Sequence, residues 1–122
     1  MSFERNGVVI MEGYDLNDEN HPANKAVSQV KLGDVRFPYG FFIRETNGKK
    51  YVEPATFQDK LDVYRTAFPG FDPNQIPMNS CIKDFEDRNC QGGCRPLPIE
   101  WRCMKVTQPR SGYFGCFCVN MA

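Results

Sequence analysis

Apolar residues alternate between short runs and turn formers along this chain, and the spacing predicts short strands more often than helices. Gly7–Tyr14 carries Val8, Val9, Ile10 and Met11, a run of strand length. Asp15–Lys25 is polar and reads as a loop, and Val27–Val35 reads as a weaker strand. Phe41–Glu53 reads as a hairpin about Asn47-Gly48, a pair that accepts the positive φ angles of a type I′ turn. Folding there sets Glu45 opposite Lys50 and Ile43 opposite Val52, both complementary pairs.

The period then changes. Phe57, Leu61, Tyr64 and Phe68 recur at helical spacing, which predicts a helix capped by Thr56 with Asp59 completing a capping box. Pro69-Gly70 stops it, and the stripe is expected to pack on the hairpin as core. A Pro-rich stretch over residues 71–80 reads as a connector.

Cysteine divides the chain. Residues 1–80 hold none, whereas residues 81–122 hold all six: Cys81, Cys90, Cys94, Cys103, Cys116 and Cys118. Ser80 is positioned to cap a short helix running through Ile82 to Cys90, and Ile99–Val106 and Tyr113–Val119 read as strands joined by Thr107–Gly112. Cys90 and Cys94 on a helix would stand about 6 Å apart along its axis. Cys116 and Cys118 on a strand would stand about 6.6 Å apart on one face. A helix lying along a strand therefore accommodates two bridges side by side. Gln91-Gly92-Gly93 opposes the helix, because each glycine costs about 1 kcal/mol there. Spacing alone leaves all 15 pairings open.

A C-x3-C followed by a C-x-C, with a further cysteine ahead of each pair, resembles the cysteine-stabilised αβ family of defensins and scorpion-type toxins. The resemblance covers residues 81–122 alone. It implies bridges Cys81–Cys103, Cys90–Cys116 and Cys94–Cys118, and a defensin- or toxin-like effector released from or carried by the N-terminal part.

The expected fold class is therefore α+β: a β-rich body with one helix over residues 1–70, a connector over 71–80, and a disulfide-stapled αβ module over 81–122. Fifteen basic residues balance fifteen acidic ones, which removes the basic field that nucleic-acid binding needs. No run of 18 apolar residues spans a bilayer, and Met1–Gly7 lacks the apolar centre of a signal peptide.

Little points to catalysis. His21, the single histidine, lies in the polar stretch Asp18–Pro22, where a solvated surface role is expected. No P-loop, nucleophile elbow or dinucleotide fingerprint occurs. No catalytic residue, metal or cofactor is expected. The rival chemical reading is a zinc-binding adaptor, in which four thiolates hold the ion.

The function expected from the residues is a non-enzymatic interaction or structural role. It would suit a secreted factor or a subunit of an extracellular or virion-type assembly, in an oxidising compartment. A protein partner would meet the aromatic and basic residues around the final hairpin: Trp101, Arg102, Arg110, Tyr113 and Phe114.

Overall fold

The computed structural model describes residues 2–11, 20, 25, 30, 36–76, 81–84, 90–94 and 97–120. Two hairpins open and extend the main sheet. Strands β1 (Ser2–Arg5) and β2 (Val8–Met11) meet at Asn6-Gly7, where φ angles of 53° and 83° form a left-handed turn. The same dipeptide, at φ 54° and 76°, joins β4 (Phe41–Thr46) to β5 (Lys49–Pro54). In that hairpin Glu45 pairs with Lys50 and Ile43 with Val52, the expected register.

The longest pairing joins β8 (Trp101–Gln108) to β9 (Tyr113–Asn120). All contacts within this sheet are antiparallel, in the order β1-β2-β8-β9-β4-β5. Strands β8 and β9 thus lie between strands from the first half of the chain. A second, three-stranded antiparallel sheet orders β3 (Arg36–Phe37), β6 (Cys81–Asp84) and β7 (Cys90–Gly92).

This arrangement corrects the α+β expectation: the described chain is mostly antiparallel sheet with one short helix of defined span. That helix, α1 (Phe57–Ala67), has the expected reciprocal cap. Thr56 Oγ1 accepts from the Asp59 N–H, and the Asp59 carboxylate accepts from the Thr56 N–H at 2.8 Å. The helix expected through Ile82 to Cys90 is absent over Cys81–Asp84, which is strand β6. Gly92, at φ 83°, ends β7 in a conformation closed to a right-handed helix. The backbone amides of β6 bond instead to β3 and β7 on its two sides. Val27–Val35, apart from Val30, and His21 lie outside the described residues.

The two-residue period of β8 and β9 sorts side chains onto two faces. One face presents Met104, Val106 and Phe117 to α1, where Leu61, Val63, Tyr64 and Ala67 are buried with them. Tyr64 stacks on Phe117 at 4.2 Å and on Phe71 at 4.2 Å. The expected helical stripe is rotated accordingly: Phe57 is 43% exposed, and Lys60 is buried in its place. The other face carries Cys103, Cys116, Cys118 and Phe114. Phe114 joins Phe37, Phe41 and Val30 in a second apolar cluster. No helix among the described residues is long and apolar enough to cross a membrane.

Candidate functional site

Three disulfides stand on the β8–β9 hairpin: Cys81–Cys103, Cys90–Cys116 and Cys94–Cys118. Their Cα separations of 5.7–5.8 Å are ordinary for cystine. The pairs coincide with those the family resemblance implies, but Cys90 sits on strand β7 and not on a helix. Cys116 and Cys118 share a face because they are two residues apart on β9. Cys103 joins them there because it is the cross-strand neighbour of Cys118. The bridges therefore pack together. The sulfurs of Cys81, Cys94 and Cys118 all lie within 4.8 Å of one another, as do those of Cys81, Cys90 and Cys103.

The residues expected to meet a partner divide between the two ends of this hairpin. Trp101 and Arg102 begin β8, whereas Arg110 lies in the turn beyond Gln108. Seven strand steps, about 23 Å, separate Trp101 from Gln108. Tyr113 is fully buried and serves the core: its hydroxyl donates to the Tyr39 carbonyl at 2.7 Å. Burial, and then the nearby Asp59 carboxylate, push its pKa well above the ordinary 10.0. Phe114 is half-buried and stacks on Phe41 with ring centroids 5.7 Å apart. Arg102 and Arg110 are exposed.

Each end of the hairpin opens into a groove. At the turn end, the β4–β9 ladder runs through Phe41–Phe114 and Phe42–Tyr113 and ends where the Ile43 N–H donates to the Gly112 carbonyl at 3.0 Å. The space left, about 310 Å³, is lined by Ile43, Glu45, Lys50, Thr107 and Phe114 among others. Its rim carries both signs of charge.

The Trp101 end is more aromatic. A groove of about 430 Å³ is lined by Arg5, Tyr64, Phe68, Phe71, Trp101 and Asn120 among others. The Arg5 guanidinium lies 5.0 Å from the centre of the Phe68 ring, in cation–π range. Among the described residues Arg5 has no carboxylate partner, and no Asp or Glu lines this groove. The floor is held from below. The Tyr64 hydroxyl donates to the Cys118 carbonyl, on a stretch of β9 that β4 does not reach.

Sequence reasoning reached Trp101 but missed Arg5, Phe68 and Phe71 as its neighbours. Phe68 and Phe71 read as helix end and connector. Yet Phe71 stacks on Tyr64, and Ile76 beyond it is buried. The Asn6-Gly7 turn was the available signal for Arg5, since it folds β1 onto β2 and places Arg5 opposite Val8.

A second residue that the pattern hid is Lys60. Its Nζ donates to the Cys81 carbonyl at 3.1 Å and to the Pro38 carbonyl at 3.4 Å, tying α1 to β6 and to the turn between β3 and β4. Burial lowers its pKa from 10.5 to about 7. At 1% exposure the amine is closed to substrates, so its part is structural.

Compared with protein-family models, curated proteins and solved structures, the chain has no significant match in any of the three.

Proposed function

We propose that this protein is a non-enzymatic interaction module of an oxidising compartment, braced by its three disulfides and meeting a protein partner through the groove beside Trp101. The observation that carries this reading is the Arg5 guanidinium held over Phe68, with no carboxylate beside it among the described residues. A cation fixed on an aromatic wall, in a groove whose described lining holds no acid, selects an apolar segment that brings its own carboxylate. Phe68, Phe71 and Trp101 supply the apolar contact, and rings with few rotors lose little entropy when covered. Disulfides persist in oxidising surroundings, which supports the compartment. A sheet locked on one face by cystines keeps the groove's walls in place before the partner arrives.

Trp101 is the single tryptophan of the chain, so binding is read directly from its fluorescence. Titration with a capped Leu-Phe-Glu-Asp-Leu peptide is expected to quench or shift Trp101 emission with saturation. The Leu-Phe-Lys-Lys-Leu counterpart is expected to bind at least tenfold more weakly, and Arg5→Glu to reverse that preference. Equal responses to both peptides, or no change of preference in the variant, would overturn the reading.

A further inference from the structure

The cystine cluster gathers more sulfur in one place than three separate staples require. Cys81 is its centre, with sulfurs of both neighbouring bridges inside 4.8 Å. Cys81, Cys94 and Cys118 are 1%, 7% and 1% exposed, so three sulfurs from three different segments converge in a dry site. Cys103 stands directly opposite Cys118 in the hairpin register and is half-buried. Directly opposed strand residues have Cβ atoms about 4.5–5.5 Å apart. Rotation about its Cα–Cβ bond therefore turns the Cys103 sulfur toward the same centre once its own bridge is open. A tetrahedral zinc ion with Zn–S bonds of about 2.3 Å holds its sulfurs about 3.8 Å apart. The sulfurs of Cys81, Cys94 and Cys118 lie within 4.8 Å of one another in the folded chain, so opening the bridges brings that spacing within reach.

We infer that the reduced protein binds one zinc-class ion through the thiolates of Cys81, Cys94, Cys103 and Cys118, with Cys90 and Cys116 outside the site. The step needs an external reductant, a dithiol or a phosphine. Two equivalents deliver four electrons to the Cys81–Cys103 and Cys94–Cys118 bonds, and four protons complete four thiols. The incoming divalent ion then displaces those four protons and leaves a net charge of −2 on the site. Four ligands from β6, the segment after β7, β8 and β9 join the two sheets, as the bridges do. Metal and cystine are thus alternative cross-links of the same contact. Cys103, the half-buried member, faces the solvent from which reductant and metal approach.

The test uses the full chain, reduced by a phosphine under anaerobic conditions and titrated with Co²⁺ as the spectroscopic probe. The expected result is one equivalent bound, with thiolate-to-cobalt charge-transfer and intense tetrahedral d–d bands, and displacement of Co²⁺ by Zn²⁺. Far-UV circular dichroism followed in the same titration is expected to keep or regain strand signal. Cys94→Ser/Cys118→Ser is expected to lose the bands, and Cys90→Ser/Cys116→Ser to retain them. Three outcomes overturn the inference: no tetrahedral bands, bands that persist in the first variant, or metal uptake without strand signal. The peptide titration at the Trp101 groove uses oxidised, metal-free protein, so the two readings fail independently.

Discussion

Cys103 and Cys118 face each other across β8 and β9, yet each is bonded elsewhere, Cys103 to Cys81 and Cys118 to Cys94. A bond between them would only close a hairpin that backbone hydrogen bonds already close. The actual bonds reach across 22 and 24 residues and fasten the small sheet onto the large one. Restricting the unfolded chain over loops of that length stabilises by about 2–4 kcal/mol per bridge. Replacing Cys81 and Cys103 together with serine is expected to cost that much in urea denaturation. A double variant as stable as the parent would show that the bridge constrains nothing the sheets do not already fix.

The Tyr64 hydroxyl meets the Cys118 carbonyl where β9 has outrun β4. A strand edge without a neighbour leaves its carbonyls to be satisfied by something else, and here a side chain from α1 does it. Tyr64→Phe keeps the stacks on Phe117 and Phe71 and deletes only that donor. The expected cost is about 1–2 kcal/mol in thermal denaturation, that of leaving a buried acceptor unsatisfied. Tyr64→Ala also removes the ring and is expected to cost about 3–5 kcal/mol. Equal losses in the two variants would place the whole contribution in the hydroxyl.

Gly115 is a glycine for reasons of space. A Cβ there would overlap the hydroxyl and ring of Tyr113, two residues back on the same face of β9. Tyr113 is held by its bond to the Tyr39 carbonyl and does not swing aside without breaking it. Gly115→Ala is therefore expected to destabilise by about 1–3 kcal/mol, the cost of overpacking a filled core. Gly70→Ala, whose Cβ would meet open space, is the matched control and is expected to change little.

What the sequence disclosed follows from how local each signal is. Asn47-Gly48 sits between two clear strands, so turn, register and cross-strand pairs were all legible. Asn6-Gly7 makes the same turn, but β1 offers one apolar side chain, Phe3, and its strand character comes from pairing with β2. Cys90 and Cys94 read as a helical pair because an i,i+4 spacing carries no record of β3 and β6, whose pairing pulls that region into a sheet. Trp101 and Arg110 looked like one contact surface because they are near in sequence; an extended hairpin puts them at opposite ends. Lys60 was invisible for another reason. A lysine at a buried helix position breaks the apolar pattern, and the bonds it donates to the carbonyls of Cys81 and Pro38 help make it tolerable.

That lysine gives the protein a pH dependence whose direction can be worked out. In the folded chain burial leads Lys60 to release its proton near pH 7, whereas in the unfolded chain it does so near its ordinary 10.5. Between those values the unfolded state binds more protons, so raising the pH favours folding. Lys105, also lowered by burial, acts in the same direction. Tyr64 and Tyr113 act oppositely: burial raises both, so the folded chain keeps their protons above pH 10 while the unfolded chain loses them, and stability falls there. Urea midpoints are therefore expected to rise from pH 7 to a maximum approaching pH 10 and to drop beyond it. Lys60→Met, which keeps the buried stem without the titrating amine, is expected to flatten the rising limb and to leave the alkaline fall in place. A rising limb equally steep in the variant would mean that Lys60 keeps its charge in the fold across this range.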